Sequence, residues 1–582
     1  MQKTVIDSAH IEEKEVSVVN KETKPSSSKQ NKVGSFIRVD GKDAKLAMAH
    51  MYVAFISLLL GGLAGLLQVL VRSGEFTLPA GIKIGYYQIL TVHGILLALI
   101  LTTFFIMGFQ ISAISRTAGA FTNTQRKIGW VGFWLMVIGT AAAAVMVLLN
   151  EATVLYTFYA PLQAHWIFYL GLTLVVVGSW LLCVMQLMKY FQWKKANKGQ
   201  TSPLLMFMAV VNSILWITCS LGVAVEVLFQ LLPWSLGLVE RVDVLLSRTL
   251  FWYFGHALVY FWLLPAYMAW YVVIPKVIGG HIFSDALARL SFMLFLLFSF
   301  PVGIHHQLTE PGIDGFWKFV QVVLTFFVVI PSLLTAFSMF ATFELRGREL
   351  GGKGVLGWFK NLPWGDSRFL VPFIGMVAFI PGGAGGIVNA SHQMNQLVHN
   401  TIWVTGHFHL TVATAVVLTF FGVAFWLIPH LTGRTLTPKL NYLGNVTGIL
   451  WGIGMLIMSL SMHLAGLLGA PRRSEYSTYG ESSTAYDWIP YQIAQAVGGT
   501  ILFIAILIIM YIVVQLIWFA PKGEEEFPVA TVAPGAEKTP AILENFKIWG
   551  VILVALIVFA YTIPIIEIIS NSPAGSKGFS PW

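Results

Sequence analysis

Long apolar runs separated by short polar stretches make up most of this 582-residue chain. About thirteen runs stand out, near 49–73, 87–115, 128–150, 165–189, 203–232, 245–274, 284–306, 315–343, 369–390, 398–430, 441–469, 487–518 and 545–570. Most are long enough to cross a hydrocarbon core of about 30 Å. A helix satisfies its own backbone there, so the pattern predicts an all-α polytopic membrane protein with about 13 transmembrane helices. Residues 1–45 are rich in Lys, Glu and Ser and have no apolar core, so they read as a polar tail and not as a cleaved signal. The membrane domain is expected over 46–570, with a short terminal tail over 571–582. The charged stretch from Pro521 to about Lys547 reads as a loop before the last helix. No internal repeat is strong enough to assign.

Charge placement adds an orientation. The tail, Arg116–Lys127, Lys189–Lys198, Arg346–Arg368 and Arg434–Lys439 are basic, and alternating helices put all of them on one side. That side is expected to be cytoplasmic. Thirteen helices then leave the N-terminus inside and the C-terminus outside a cell membrane. The net charge of +9 is thus a topology signal and does not call for nucleic acid. With 56% hydrophobic and 11% charged residues, the composition is that of a membrane protein with lipid around it. The two cysteines lie within apolar runs, and no CxxC or CxxCH motif exists. A haem would therefore be held by side-chain ligands alone.

Histidines are the unusual residues inside these runs. His407 and His409 lie two apart, which turns them about 200° around one helix. A nitrogen ligand on each side suggests two metal centres flanking that helix, since an imidazole in lipid needs a partner. His93, His256, His305 and His306 fall at the same outer level on three further helices. His256 and Tyr260 are four apart and share a face. The adjacent pair His305–His306 ends a helix, where irregular backbone lets both rings converge. Three imidazoles, from His256, His305 and His306, suit a copper ion, with the Tyr260 phenol beside it.

These stretches resemble subunit I of the haem–copper oxygen reductases, in particular the B-type cytochrome c oxidases. The resemblance rests on Arg248 to Tyr267 around His256 and Tyr260, on Pro301-Val-Gly-Ile-His305-His306-Gln, on Val398 to His409, and on Gly469-Ala-Pro-Arg472-Arg473. It implies the fold of that subunit and a terminal oxidase that reduces oxygen to water while translocating protons. It also implies that His93 and His409 are axial ligands of a low-spin haem, expected to be haem b. His407 would be the proximal ligand of a high-spin haem of a-, o- or b-type. His256, His305 and His306 would hold the copper, with Tyr260 cross-linked to His256. Phe408 would pack between the haems, and Arg472 and Arg473 would hold propionates.

A single proton pathway is expected along Tyr260, Tyr267 and Tyr271 on helix 6 and Ser332, Thr335 and Ser338 on helix 8. Ala257 and Leu258 stand where the A-type branch carries a glutamate, and Arg116–Lys127 has no carboxylate, so the second A-type pathway is expected to be absent. Asn395 replaces the aspartate expected near the high-spin haem, which puts proton exit by Asn395 and His399 in question. The implied partners are a subunit II carrying a dicopper site, a small single-helix subunit, membrane lipid and a c-type cytochrome donor. A quinol-oxidising reductase is the alternative. A nitric oxide reductase would keep the six histidines but is opposed by Tyr260. A transporter without redox cofactors would leave those imidazoles without use.

Overall fold

The computed structural model describes residues 38–78, 84–535 and 538–580. Residues 1–37 of the expected tail lie outside that range. Twelve helices among the described residues are long and apolar enough to cross a membrane. They are α1 (Gly41–Arg72), α2 (Tyr86–Ala118), α3 (Asn123–Leu148), α4 (Trp166–Ala196), α5 (Leu204–Ser235) and α6 (Val244–Val277). After the short α7 (Asp285–Phe298) come α8 (Gly315–Glu349), α9 (Ser367–Ala390), α10 (Ile402–Thr432), α11 (Pro438–Leu467), α12 (Ser483–Phe519) and α13 (Phe546–Ser570).

The difference from thirteen full spans is α7. Its 14 residues give about 21 Å, so this thirteenth element completes its crossing through the turn at Gly303–Gln307 and not as one helix. The run expected over 284–306 is not one helix. Pro301 cannot donate a backbone hydrogen bond and cannot continue the helix. The chain turns after Phe298 and re-forms as a 3₁₀ segment at Gly303–Gln307. A second difference lies at α1, which begins at Gly41, ahead of the apolar run expected from about 49. Asp40 caps it by accepting from the Lys42 and Asp43 N–H groups. Arg126 pairs with Asp43 at 2.6 Å and with Asp40 at 2.7 Å, so the charged first turn is neutralised locally. A third is α10, which starts at Ile402 because Asn400 has φ 60 and Thr401 caps the helix. The histidines of α10 therefore lie nearer its start than expected. The terminal stretch after 570 is not loose throughout: Ser576–Lys577 pairs with Arg241–Val242.

Burial separates inner from outer helices. The apolar stretches of α6 and α10 are 89% buried, against 28% for α9 and α13. The histidine-bearing α6 and α10 thus form the centre, and residues such as Phe229, Phe319 and Leu333 face outward. Close pairing of α3 with α4 uses glycines seven apart on each helix. A Cβ at Gly139 would stand 2.4 Å from the Gly171 carbonyl, and one at Gly132 2.5 Å from that of Gly178. At the end of the bundle where α1 begins, the loop before α13 is tied to its neighbours by ion pairs. Glu544 meets Lys194 at 2.6 Å and Arg289 at 2.8 Å, and Glu525 meets Arg368 at 2.5 Å.

The α3–α4 contact gives a stability test. Gly139→Val has no room at the backbone contact and is expected to destabilise the protein by about 1–3 kcal/mol. Thermal unfolding of the detergent-solubilised protein checks this, and an unchanged midpoint would contradict the contact.

Candidate functional site

Four elements bring the six predicted histidines to the end of the bundle where α1 finishes. α2 supplies His93, α6 His256, the 3₁₀ turn after α7 His305 and His306, and α10 His407 and His409. Three groupings result.

His93 and His409 lie with nearly parallel rings, centroids 6.2 Å apart and an interplanar angle of 8°. Two metal–nitrogen bonds of about 2 Å plus two half-rings of about 1 Å each give the same separation. Each ring is held from behind. His93 Nδ1 bonds the Gly61 carbonyl at 2.9 Å and His409 Nδ1 bonds the Thr405 carbonyl at 2.8 Å. A carbonyl only accepts, so Nδ1 carries the proton in both and Nε2 is left to ligate. A Cβ at Gly65 would come within 2.8 Å of the His93 ring, so α1 is glycine where the ring passes. A cavity of about 270 Å³ opens beside the two rings, lined also by Arg72, Met455, Met458 and Arg473. Phe408 lines the same cavity and touches Trp262 edge-on at 5.6 Å. π-helical segments follow His93 at Ile95–Leu101 and His409 at Thr411–Val416. Such segments collect at functional sites because they re-aim side chains.

His407 points to the other side of α10, against α9. A Cβ at Gly385 would stand 2.6 Å from its Nδ1, so only glycine leaves the ring its space. Trp403, one turn earlier, lies nearly parallel to it at 6.0 Å.

His256, His305 and His306 form the one His/Cys/Asp/Glu cluster of metal-ligand geometry among the described residues, with ligating atoms within 4.8 Å of one another. His256 Nδ1 stands 3.1 Å from His306 Nε2. His305 Nδ1 donates to the Thr325 hydroxyl at 2.9 Å, because that hydroxyl gives its own proton to the Gln321 carbonyl at 2.6 Å. His305 Nε2 is thereby freed for a metal. His256 Nε2 is buried and has no partner, and the Tyr260 ring lies 5.0 Å from the imidazole centre. Trp252 stacks on His306 at 3.8 Å and 7°.

A cluster of guanidiniums lies beside these rings. The Arg472 N–H bonds the Asn400 carbonyl at 3.0 Å, and the left-handed Arg473 (φ 58) turns its side chain toward Tyr159. Arg248 and Arg473 lie 4.8 Å and 5.2 Å from that ring. Arg248 pairs with Glu310 at 2.5 Å, but Arg472 has only the Asn400 side-chain oxygen, at 2.9 Å. Burial and the adjacent Arg473 pull the Arg472 guanidinium down to about 9. Arg472 and Arg473 are half-buried with no carboxylate partner, and the Arg472 Nε is buried without an acceptor, so the pair calls for an anion. His399 is pushed down to about 4 by burial and by Arg472 and Arg248, so it is neutral near pH 7. Asn395 donates to the Asn389 carbonyl at 2.7 Å, and its own side-chain oxygen is unmet.

The hydroxyl row is joined in part. The Tyr271 hydroxyl donates to Thr335 at 3.0 Å, and Thr335 meets Ser291 at 2.9 Å. Ser332 and Ser338 bond carbonyls of their own helix, at 3.3 and 2.8 Å. Tyr267 lies beside Ser332 of the row, and Tyr260 stands between Tyr267 and His256 along α6. Tyr267 is 1% exposed, so it is within the core.

Comparison with known proteins decides the family. Residues 45–501 match the family described as cytochrome c and quinol oxidase polypeptide I. The chain belongs to this haem–copper oxidase family. It is 41% identical to cytochrome c oxidase subunit 1 of Thermus thermophilus over 91% of this chain and 95% of that one. A quinol oxidase subunit 1 of Bacillus subtilis is 24% identical over 80% of this chain and 70% of its own. A heme–copper terminal oxidase dimer solved by cryo-EM superposes with a TM-score of 0.87 at 37% identity, covering 92% of this chain and 95% of that one. The protein is therefore an oxidoreductase, the subunit of a respiratory oxidase that reduces oxygen at haems and a copper ion.

Reading the oxidase by sequence missed several residues of the site. Trp252 and Ser291 carry no pattern of their own. Thr325 and Gln321 look like ordinary polar residues of a membrane helix. Arg72 was hidden near the end of the first apolar run. It is 7% exposed and reaches the Pro471 carbonyl at 2.6 Å, while its Nε has no partner. Its signal was a guanidinium at a membrane-helix end beside the His93 level.

Proposed function

We propose that this chain is the catalytic subunit of a B-type, proton-translocating cytochrome c oxidase, with His93 and His409 holding a low-spin haem. His407 would hold a high-spin haem, and His256, His305 and His306 a copper ion. The observation that carries the reading is the directed tautomer of the rings. His93, His409 and His305 each have Nδ1 committed to the protein, which leaves Nε2 for a metal. His256 is used the other way round, with Nδ1 beside His306 and Nε2 free. That free Nε2 is the atom available for a covalent link to Tyr260. When bound, the haems and copper supply electrons to oxygen from more than one metal at once.

The chain's own groups would do the rest. Arg472 and Arg473, and Arg72 beside them, would neutralise haem propionates, which a guanidinium grips as a fork. Phe408 would fill the space between the haems. Tyr260 would hold a proton at its phenol oxygen beside the copper. Protons would arrive along Tyr271, Thr335 and Ser291, then Tyr267, with Ser332 and Ser338 alongside and water closing the gap to Tyr260. Cys183 and Cys219 are buried inside α4 and α5, so a dicopper entry site needs a partner subunit II. The donor would be a c-type cytochrome, as the name of the Thermus relative implies for that protein; quinol is the second reading. We further assign the 1–45 end and the basic loops to the cytoplasm and the 571–582 end to the outside of the plasma membrane. A small single-helix subunit would cover part of the apolar rim.

His409→Ala is expected to abolish the low-spin haem spectrum while copper stays. An intact bis-histidine signal would refute the axial assignment. His256→Ala is expected to lose copper and keep both haems; stoichiometric copper in that variant would show the ligands to be wrong. Thr335→Val fills the same volume but cannot exchange a proton. Oxygen consumption should fall by about tenfold or more with unchanged haem spectra and copper content. Near-normal turnover and pumping in vesicles would refute the pathway.

A further inference from the structure

The backbone that carries His305 and His306 is held from outside by the last helix. After α7 ends at Phe298, the chain to Gln307 has peptide groups with no helical partner. One hydroxyl serves two of them. Tyr561 of α13 donates to the Phe300 carbonyl at 3.0 Å and accepts from the Gly303 N–H at 2.9 Å. The next N–H, of Ile304, donates to the Gln321 side-chain oxygen at 2.7 Å. The Gln321 amide then donates to the Ala560 carbonyl at 3.0 Å, next to Tyr561. Gln321 and Thr325 are one turn apart on α8, and Thr325 receives His305 Nδ1. The N–H groups of Gly303 and Ile304, the two residues before His305, are thus fixed by α13 and α8 together.

Packing supports the same point. Ile304, Ile313, Ala560, Tyr561 and Ile568 make a small core separate from the main one. Tyr561 is 3% exposed and Gln321 fully buried, although most of α13 faces outward. Gly303 has no room for a side chain: a Cβ would meet the Tyr561 oxygen at 2.5 Å and the Trp252 carbonyl at 2.6 Å. The absence of a side chain at Gly303 is therefore what lets the Tyr561 hydroxyl approach the turn.

We propose that Tyr561, with Gln321, is a positioning residue that fixes the Gly303–Gln307 turn and so aims His305 and His306 at the copper ion. This rests on the copper reading given above. Buried N–H groups left without acceptors are costly, so a turn deprived of Tyr561 would pull away to find partners. Groups behind a ligand commonly change metal affinity by about 10–100-fold.

The test compares wild type, Tyr561→Phe, Gln321→Leu and, as control, Tyr253→Phe. Tyr253 packs against Tyr561 at 5.1 Å but bonds the Thr218 carbonyl, away from the turn. Copper loss to a copper(I) chelator and the infrared band of carbon monoxide on reduced copper are measured in the purified complex. Tyr561→Phe is expected to keep both haem spectra, lose copper roughly tenfold faster, and shift or broaden the band. Gln321→Leu should do the same, and it decides the matter alone if Tyr561→Phe does not assemble. Wild-type rates and bands in both variants would overturn the proposal, as would an equal shift in Tyr253→Phe. Wild type without copper, or His305→Ala retaining it, would instead overturn the copper reading and the proposal with it.

Discussion

An imidazole has two ring nitrogens, and inside a membrane each needs a partner. Leaving a polar group unmet there costs several kcal/mol. In His93, His409 and His305 one nitrogen is met by protein and the other is left free, whereas the buried Nδ1 of His407 has no protein partner. Gly61 and Thr405 supply carbonyls, and Thr325 supplies a hydroxyl whose own proton is already spent on Gln321. The identity of the partner sets the tautomer, and the tautomer sets which nitrogen can bind a metal. His256 follows the same rule in reverse, since its Nδ1 is the nitrogen beside His306. The helix order, the glycines and the broken seventh helix all serve to bring these rings to their partners.

Space is made for the rings by omission. Gly65 on α1 and Gly385 on α9 stand where any side chain would collide with His93 or His407. The bond between Arg472 N–H and the Asn400 carbonyl, and that between Ile402 N–H and the Ala470 carbonyl, tie the arginine loop to the start of α10. One element thus sets the depth of His407 and His409 and the place of the guanidiniums. A shift of α10 would move all of them together, which keeps their spacing independent of small motions in the bundle.

Much of this was legible in the sequence because lipid is a severe filter. A histidine within an apolar run is costly, so six at one level already marked a site. The same filter made the helices visible, since charge-free runs of this length have few other readings. What stayed hidden was local backbone geometry. The run 284–306 reads as apolar throughout, yet Pro301 breaks it, and hydropathy averages over one proline. The start of α10 was placed early because Val398 to Thr401 are no more polar than a helix allows, while the left-handed Asn400 is a conformational fact. Thr325, Gln321 and Arg72 were missed for another reason. Their meaning lies in what they face across helices, and spacing along one helix does not show that.

In the proposed proton pathway a bond to the backbone and a relay can coexist. Thr335 and Ser291 both reach the Pro331 carbonyl, at 2.8 and 2.9 Å, and they also reach each other at 2.9 Å. Each hydroxyl has one proton and two acceptors within reach, so each can rotate between them with little change in energy. Tyr271 already donates to Thr335, so a proton can pass only if Thr335 turns its own proton away from Pro331 toward Ser291. The carbonyl then serves as the resting acceptor of the unused orientation. Bonding its own helix is usually the reason to discount a membrane threonine. In the proposed pathway the shared carbonyl would let a hydroxyl reset after transfer.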